Sequence, residues 1–153
     1  MILLHIEIAK DSFLMFINSS YIVNWDKDNL ISKVKEIINK RRYELKLRGF
    51  YKIKVYVNKK VGLFIEGVKL DDLDYGNILD LRIILLFDEK VYFETEDYFI
   101  IDNVLNIRYY NNKYYCLVDD INIMDVCEFG RFIYGEDVLR MMNNSYLITK
   151  KES

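Results

Sequence analysis

Apolar and polar residues alternate in several short stretches of the chain, a period that is typical of β-strands. Residues 4–8 alternate, a polar turn follows at 9–12, and a second apolar run covers 13–17, which predicts a β-hairpin. Residues 51–70 predict a second hairpin, because apolar and polar residues alternate on both sides of a polar turn at 58–60.

One longer stretch, 26–48, repeats its apolar residues at the spacing of an amphipathic helix, with Asn24 or Asp26 as its cap. Asp26 and Asp28 lie in its first turn, and basic residues crowd its last turns, which matches the helix dipole at both ends. Gly49 predicts the C-terminal stop. The predicted buried stripe consists of Leu30, Val34, Ile37, Ile38 and Leu45.

The second half of the chain predicts further strands and then a helical tail. Residues 79–87 carry apolar side chains on both faces, which predicts a central strand that is covered on both sides. A turn at 88–90 returns the chain into a strand over 91–95. Residues 107–118 predict another hairpin, because the two asparagines at its centre tolerate positive φ. The tail over 121–142 has helical spacing that glycines interrupt.

These patterns together predict an α+β fold. An antiparallel sheet of about eight strands, built from successive hairpins, is expected to pack against the long helix 26–48. A short C-terminal helical segment lies within 121–142, and 146–148 predict a last short strand. We expect one domain over 1–153, with the acidic connector 71–77 as the best candidate for any boundary.

The size and composition fit a globular protein, since 52% of the 153 residues are hydrophobic. Cys116 and Cys127 give no disulfide framework of the kind that small secreted proteins have. The first residues lack a signal-peptide pattern, and the longest later apolar run, 83–87, is far shorter than a membrane span. We therefore expect a cytoplasmic protein that does not bind membranes.

Charge is divided into two blocks along the chain. Residues 33–69 contain 12 Lys/Arg and three Glu, whereas 71–137 contain 16 Asp/Glu and five Lys/Arg, although the whole chain has a net charge of only −2. Such asymmetry bears on partners and association. The 13 tyrosines beside no proline are also typical of AT-rich coding sequence of bacterial or phage type, so tyrosine content alone does not predict a binding surface.

The charge division and the lack of a catalytic motif favour a non-enzymatic protein-interaction module, such as an adaptor, an inhibitor or an immunity-type binder. Its partner would be another protein, recognised by an acidic surface that also carries aromatic side chains. The predicted partner-binding residues are Glu94, Glu96, Asp97, Tyr92 and Tyr98.

A nucleic-acid-binding module is the alternative, because clustered basic residues with tyrosines between them can neutralise phosphates and stack on bases. The helix end and the hairpin within 40–60 would form this surface. Its predicted residues are Arg41, Arg42, Lys46, Arg48, Lys52, Lys54, Lys59 and Lys60.

A metal-dependent enzyme is a third hypothesis, since hard cations prefer carboxylate oxygens such as those of Glu94, Glu96 and Asp97. The single histidine, His5, and the two cysteines are one ligand short of a closed zinc site. The sequence therefore predicts no bound metal, no cofactor and no catalytic residue.

Two segments have a family resemblance. Tyr-Tyr-Asn-Asn-Lys-Tyr-Tyr-Cys-Leu-Val at 109–118 and Glu-Phe-Gly-Arg-Phe-Ile-Tyr-Gly at 128–135 resemble the tyrosine-rich hairpin and the Glu-Tyr-Gly-Lys segment of MecA-type adaptors for the Clp protease. The early order of strands and one amphipathic helix is also similar. This chain lacks the long linker and the second pair of helices of that family, so no site residue is transferred.

Overall fold

The computed structural model describes residues 3–71, 73 and 76–148. The chain divides into two compact units, 1–88 and 89–153, and each is described by itself. The break lies between Asp88 and Glu89 rather than in the connector 71–77, and the single domain stays a prediction.

The described residues form ten strands and three α-helices, an α+β architecture that confirms the predicted fold class. The strands are β1 (Leu3–Ile8), β2 (Ser12–Asn18), β3 (Gly49–Asn58), β4 (Gly62–Lys69), β5 (Leu79–Leu86), β6 (Tyr92–Thr95), β7 (Ile107–Tyr110), β8 (Lys113–Leu117), β9 (Arg131–Ile133) and β10 (Tyr146–Ile148). The helices are α1 (Lys27–Arg41), α2 (Ile123–Val126) and α3 (Glu136–Asn144). None of the helices in this described part is long and apolar enough to cross a membrane.

The first unit contains a five-stranded sheet in the order β1-β2-β4-β3-β5. The two predicted hairpins, β1-β2 and β3-β4, are confirmed as antiparallel pairs. Helix α1 packs its apolar stripe on one face of this sheet, so that Leu30, Val34 and Ile38 lie fully buried in one core with Ile53 and Val55 of β3. The predicted stripe is therefore confirmed for Leu30, Val34, Ile37 and Ile38, whereas Leu45 lies beyond the helix and is only partly buried.

Helix α1 is shorter than predicted, because it ends at Arg41 and not at residue 48. A further turn follows, in which the N–H of Leu47 donates to the carbonyl of Arg42 and that of Lys46 donates to the carbonyl of Tyr43. Lys46 has a φ of +56°, so the turn ends in a left-handed residue with the bonding of a Schellman motif. Lysine carries no sequence signal for this stop, and Gly49 instead opens β3.

Strand β5 lies at the edge of the sheet, so the prediction of a central strand is wrong. It pairs in parallel with β3, and the N–H of Gly49 donates to the carbonyl of Ile78 where the two strands begin. One face of β5 packs towards the core with α1, while Ile84 on the other face is 43% exposed. The turn at 88–90 also forms no hairpin, because β6 pairs with β8 and β9.

The second unit contains another five-stranded sheet, in the order β10-β7-β8-β6-β9, and its strand pairs are antiparallel. The predicted β7-β8 hairpin is confirmed, with φ of +52° at Asn111 and +63° at Asn112. Helix α3 packs Met141 on one face of this sheet, against Tyr92 and Tyr115.

The tail is less helical than predicted, because β9 lies between α2 and α3. Glycines separate these elements, as the pattern indicated. Gly130 is required by close packing, since a Cβ there would lie 2.1 Å from the carbonyl oxygen of Glu94. The last strand, β10, is confirmed beside β7. The predicted hairpin strands are thus distributed between two sheets instead of one.

Candidate functional site

Glu94 is a buried residue in the middle of the second sheet, and its side chain is only 8% exposed. Alternation along β6 places it on the same face as Tyr92, the face against which α3 packs. Tyr92 is buried as well. The expectation that Glu94 and Tyr92 belong to an exposed partner-binding surface is therefore wrong.

Both carboxylate oxygens of Glu94 accept hydrogen bonds from neighbouring strands. Arg131 Nε donates to Oε1 at 2.6 Å, and the Tyr115 hydroxyl donates to Oε2 at 2.6 Å. The strand register produces this geometry, because Tyr115 on β8 and Arg131 on β9 are the residues directly opposite Glu94. Lys113 Nζ lies 3.5 Å from Oε1 and adds a second positive charge.

This network keeps Glu94 ionised. Burial alone would raise the pKa of Glu94, but the hydrogen bonds from Tyr115 and Arg131 outweigh it and lower the pKa below its ordinary value. Burial and the bond to Glu94 raise the pKa of the Tyr115 hydroxyl, and the same bond raises the pKa of Arg131. Glu94 therefore acts as an ionic link across β6, β8 and β9.

A cavity of about 540 Å³ opens at the end of β6, directly beside this network. It is lined by residues 94–97, by Ile100, by Lys113 and by residues 129–131. The Thr95 hydroxyl lies between two of these segments, where it donates to the carbonyl of Phe129 at 2.9 Å. The cavity thus combines carboxylates, two cations and apolar side chains in one place.

Glu96 and Asp97 are exposed at this cavity, as predicted. Asp97 Oδ1 accepts the N–H of Phe99 and so caps the short 3-10 turn Tyr98–Ile100. Neither carboxylate forms an ion pair with any residue in the described ranges. Phe129 lines the same cavity and is 50% exposed.

A row of aromatic rings crosses the second sheet on the face that is opposite Glu94 and α3. Tyr146 on β10, Tyr109 on β7 and Tyr114 on β8 are directly opposite one another in the strand register. The ring centroids are 5.5 Å apart for Tyr146 and Tyr109, and 5.1 Å apart for Tyr109 and Tyr114. Tyr98 extends the row at 5.4 Å from Tyr114, and Phe99 follows at 6.0 Å. We call these five side chains the aromatic row.

The basic residues of the nucleic-acid hypothesis do not form one surface. Lys52 and Lys54 alternate with Ile53 and therefore lie on the face of the first sheet that is opposite α1. Arg41 and Arg42 lie at the end of α1, and the ten residues of β3 separate this end from the turn with Lys59 and Lys60 by roughly 30 Å.

Several of these basic groups already have partners. Arg41 pairs with Glu44 at 2.9 Å, and Arg42 donates to the carbonyl of Asn77. Tyr51 and Tyr56, which the hypothesis requires for base stacking, are buried. Lys46 and Arg48 are exposed beyond the helix end. The predicted basic residues therefore lie at separate places on the first unit, and the two tyrosines are not accessible for base stacking.

Metal-ligating side chains are not grouped within the described residues, where no three His, Cys, Asp or Glu side chains could hold one ion. Glu94 is already bound by Arg131 and Tyr115. His5 Nε2 lies 3.2 Å from Glu7 Oε1 on β1. Burial raises the pKa of the Cys116 thiol to about 12.

The cavity also contains residues that the sequence did not single out, namely Lys113, Phe129 and Arg131. They come from β8, from the turn before β9 and from β9, so no local motif joins them to Glu96 and Asp97. One signal was available in the sequence: Glu94 is two positions after Tyr92, so both side chains lie on the same face of a strand. A carboxylate on an apolar face needs hydrogen-bonding or charged partners.

Comparisons with known proteins give no relative: no protein-family model, curated protein or solved structure matches this chain.

Proposed function

We propose that the protein is a non-enzymatic protein-interaction module and that residues 89–153 bind a basic side chain of a partner protein. This part of the chain carries 12 Asp/Glu against seven Lys/Arg. A negative potential of this kind speeds encounter with a positively charged partner and helps to select it. The observation that carries the proposal is the cavity that joins Glu96 and Asp97 to the exposed ring of Phe129.

Within the part of the chain that the structure describes, some of the charged side chains around the cavity are already paired with each other, whereas others are free to bind a ligand. Arg131 and Lys113 are both directed to Glu94, whose carboxylate offsets one of their two positive charges. Glu96 and Asp97 have no such compensation in the described residues. An arginine or lysine entering the cavity would therefore meet two carboxylates, and it could also lie over the face of Phe129 as a cation–π partner.

A nucleic acid fits this cavity less well than a protein. Phosphates would be repelled by Glu96 and Asp97 within the Debye length of about 8 Å at physiological salt. We therefore favour another protein as the partner. The two free thiols, Cys116 and Cys127, support a reducing compartment, and we infer a cytoplasmic location.

The test is an NMR titration with N-acetyl-arginine amide, which offers the proposed side chain without a partner-specific sequence. We expect the largest amide shifts at Glu96, Ile100 and Gly130, and a clearly weaker effect from the neutral N-acetyl-norleucine amide. The double variant Glu96→Gln/Asp97→Asn removes both charges but keeps the acceptor that caps the 3-10 turn.

A matched control is Asp88→Asn/Glu89→Gln, which removes the same charge from two exposed residues that do not line the cavity. Binding that is lost only in the first variant supports the proposal. Equal binding of the arginine and norleucine probes, or shifts confined to other residues, would contradict it.

A further inference from the structure

We propose that the partner segment is an extended, proline-rich peptide that lies along the aromatic row and places an arginine in the adjoining cavity. The inference rests on the proposed function and names the kind of segment that the site receives. Two features meet here: the row of tyrosines on one face of the sheet, and the acidic cavity at the end of β6.

The two features are adjacent in the chain and in the fold. Asp97 and Ile100 line the cavity, and Tyr98 and Phe99, the last members of the row, lie between them in the same 3-10 turn. A bound segment can therefore pass from the tyrosines to the carboxylates without leaving the protein surface.

The aromatic row is accessible to solvent along its length. Phe99 is 78% exposed at one end and Tyr146 is 62% exposed at the other, while the three tyrosines between them are half-buried. Half-buried rings are held in place by their neighbours, so little side-chain entropy is lost when a ligand covers them. The row is thus a preformed surface.

A polyproline II segment matches this surface in shape and chemistry. It is extended, has no internal hydrogen bonds, and docks on aromatic-lined grooves in known recognition modes. At about 3.1 Å per residue, roughly seven residues cover 20 Å, which is comparable with the four successive ring contacts of 5.1–6.0 Å. The hydroxyls of Tyr114 and Tyr146 can donate to its unpaired carbonyls, while the rings pack on the prolines. The Tyr109 hydroxyl already donates to Asn112 Oδ1 at 2.9 Å.

Charge distinguishes this occupant from a single-stranded nucleic acid, the other ligand that stacks on aromatic rows. Such proteins combine their rings with a positively charged groove, whereas Glu96 and Asp97 place exposed negative charge at one end of this row. The same carboxylates are complementary to an arginine at one end of a peptide.

The test uses three labelled peptides of equal length in fluorescence anisotropy: one arginine followed by nine prolines, one glutamate followed by nine prolines, and one arginine followed by a glycine-serine repeat. We expect the arginine-proline peptide to bind at least about tenfold more tightly than either of the other two. A labelled oligothymidylate is measured in parallel.

Variants locate the binding. Phe99→Ala/Tyr146→Ala removes the two most exposed rings of the row, where little folding energy depends on them, and should weaken the arginine-proline peptide several-fold. Tyr43→Ala is the matched control, because Tyr43 is a 79% exposed tyrosine of the first unit. Glu96→Gln/Asp97→Asn should reduce the advantage of arginine over glutamate.

The outcomes separate this inference from the proposed function. If N-acetyl-arginine amide binds the cavity but the arginine-proline and arginine-glycine-serine peptides bind equally, the proline-rich segment is wrong and the proposed function stands. If neither the amide nor any peptide binds, both are wrong. Tight oligothymidylate binding that depends on Phe99 and Tyr146 would contradict the proposed peptide binding and would indicate that the aromatic row stacks on bases.

Discussion

Different interactions stabilise each of the two sheets of this protein. The sheet with β3 and β4 packs aliphatic side chains against α1, in a core of fully buried residues such as Leu30, Ile38 and Ile53. The sheet with β6 and β8 has shorter strands, and an ionised glutamate links three of them through Tyr115 and Arg131. Apolar burial is non-directional, whereas the Glu94 network fixes which side chains must be opposite each other.

Charged residues occupy different positions in the two sheets. In the first sheet, charged strand residues such as Lys52, Lys54 and Glu66 lie on the face opposite α1, outside the apolar core. In the second sheet a charged network is part of the structure, and the open carboxylates Glu96 and Asp97 lie directly beside it. A binding site positioned by a network of this kind is held on strands and not only on loops.

The largest effect should come from the aliphatic core. Ile38→Ala removes a fully buried side chain of α1 and should lower the free energy of unfolding by about 2–5 kcal/mol. Lys40→Ala, on the exposed side of the same helix, should change it by less than about 0.5 kcal/mol. Fluorescence of the single tryptophan, Trp25, reports on this core during urea unfolding. Equal destabilisation by both variants would contradict the orientation of α1.

Three hairpins could be predicted from the sequence, whereas the position of β5 and the end of α1 could not. Period-two alternation predicted the β1-β2, β3-β4 and β7-β8 hairpins, because each pairs segments that are adjacent in the chain. The position of β5 was predicted wrongly because apolar side chains on both of its faces indicated a central strand, whereas β5 lies at the sheet edge and Ile84 on its outer face is 43% exposed. The end of α1 was missed because its left-handed residue is Lys46 and not a glycine.

The candidate site was predicted only in part. Glu96, Asp97 and Tyr98 were recognised from local composition, and they lie at the cavity and the aromatic row. The burial of Glu94 was missed because its partners, Tyr115 and Arg131, are 21 and 37 positions away in the chain. Contacts over such separations depend on strand pairing, which a single sequence does not specify.

The next effect concerns the ionic link of the second sheet. Glu94→Ala leaves Arg131 and Lys113 without their shared anion and should destabilise the unit by about 2–3 kcal/mol. Glu96→Ala, two positions later and exposed, should cost less than about 0.5 kcal/mol. Native-state hydrogen exchange at the amides of β6 and β8 measures the difference. Identical protection in the two variants would mean that Glu94 is not a structural residue.

Lowering the pH should reduce the contribution of Glu94 to the stability of the second sheet. The pKa of Glu94 is lower in the folded protein than its ordinary value of 4.5, so its contribution to stability is present above pH 4.5. That contribution is lost as the pH falls through the lowered folded pKa. The stability difference between the wild type and Glu94→Gln should therefore shrink below pH 4.5 in urea titrations. A difference that stays constant or widens on acidification would contradict this role.

The smallest expected effect is on stability at the open carboxylates. Glu96→Gln/Asp97→Asn should leave the melting temperature within about 2 °C of the wild type, since both groups are exposed and the cap on Phe99 is retained. Differential scanning calorimetry measures this. A decrease in stability comparable to that of Glu94→Ala would show that Glu96 and Asp97 contribute to folding rather than to binding.

The acidic second unit is proposed to bind a basic protein segment, and the divided basic residues of the first unit are expected not to bind a polyanion. The most direct measurement offers the wild type a labelled arginine-proline peptide and a labelled mixed-sequence single-stranded oligonucleotide, each at low and at physiological salt. We expect the arginine-proline peptide to bind and Glu96→Gln/Asp97→Asn to weaken that binding, whereas the oligonucleotide should bind no more tightly than about 100 μM at physiological salt. Micromolar oligonucleotide binding that falls steeply with salt and disappears when Arg41, Arg42, Lys52 and Lys54 are reversed to Glu would contradict this expectation.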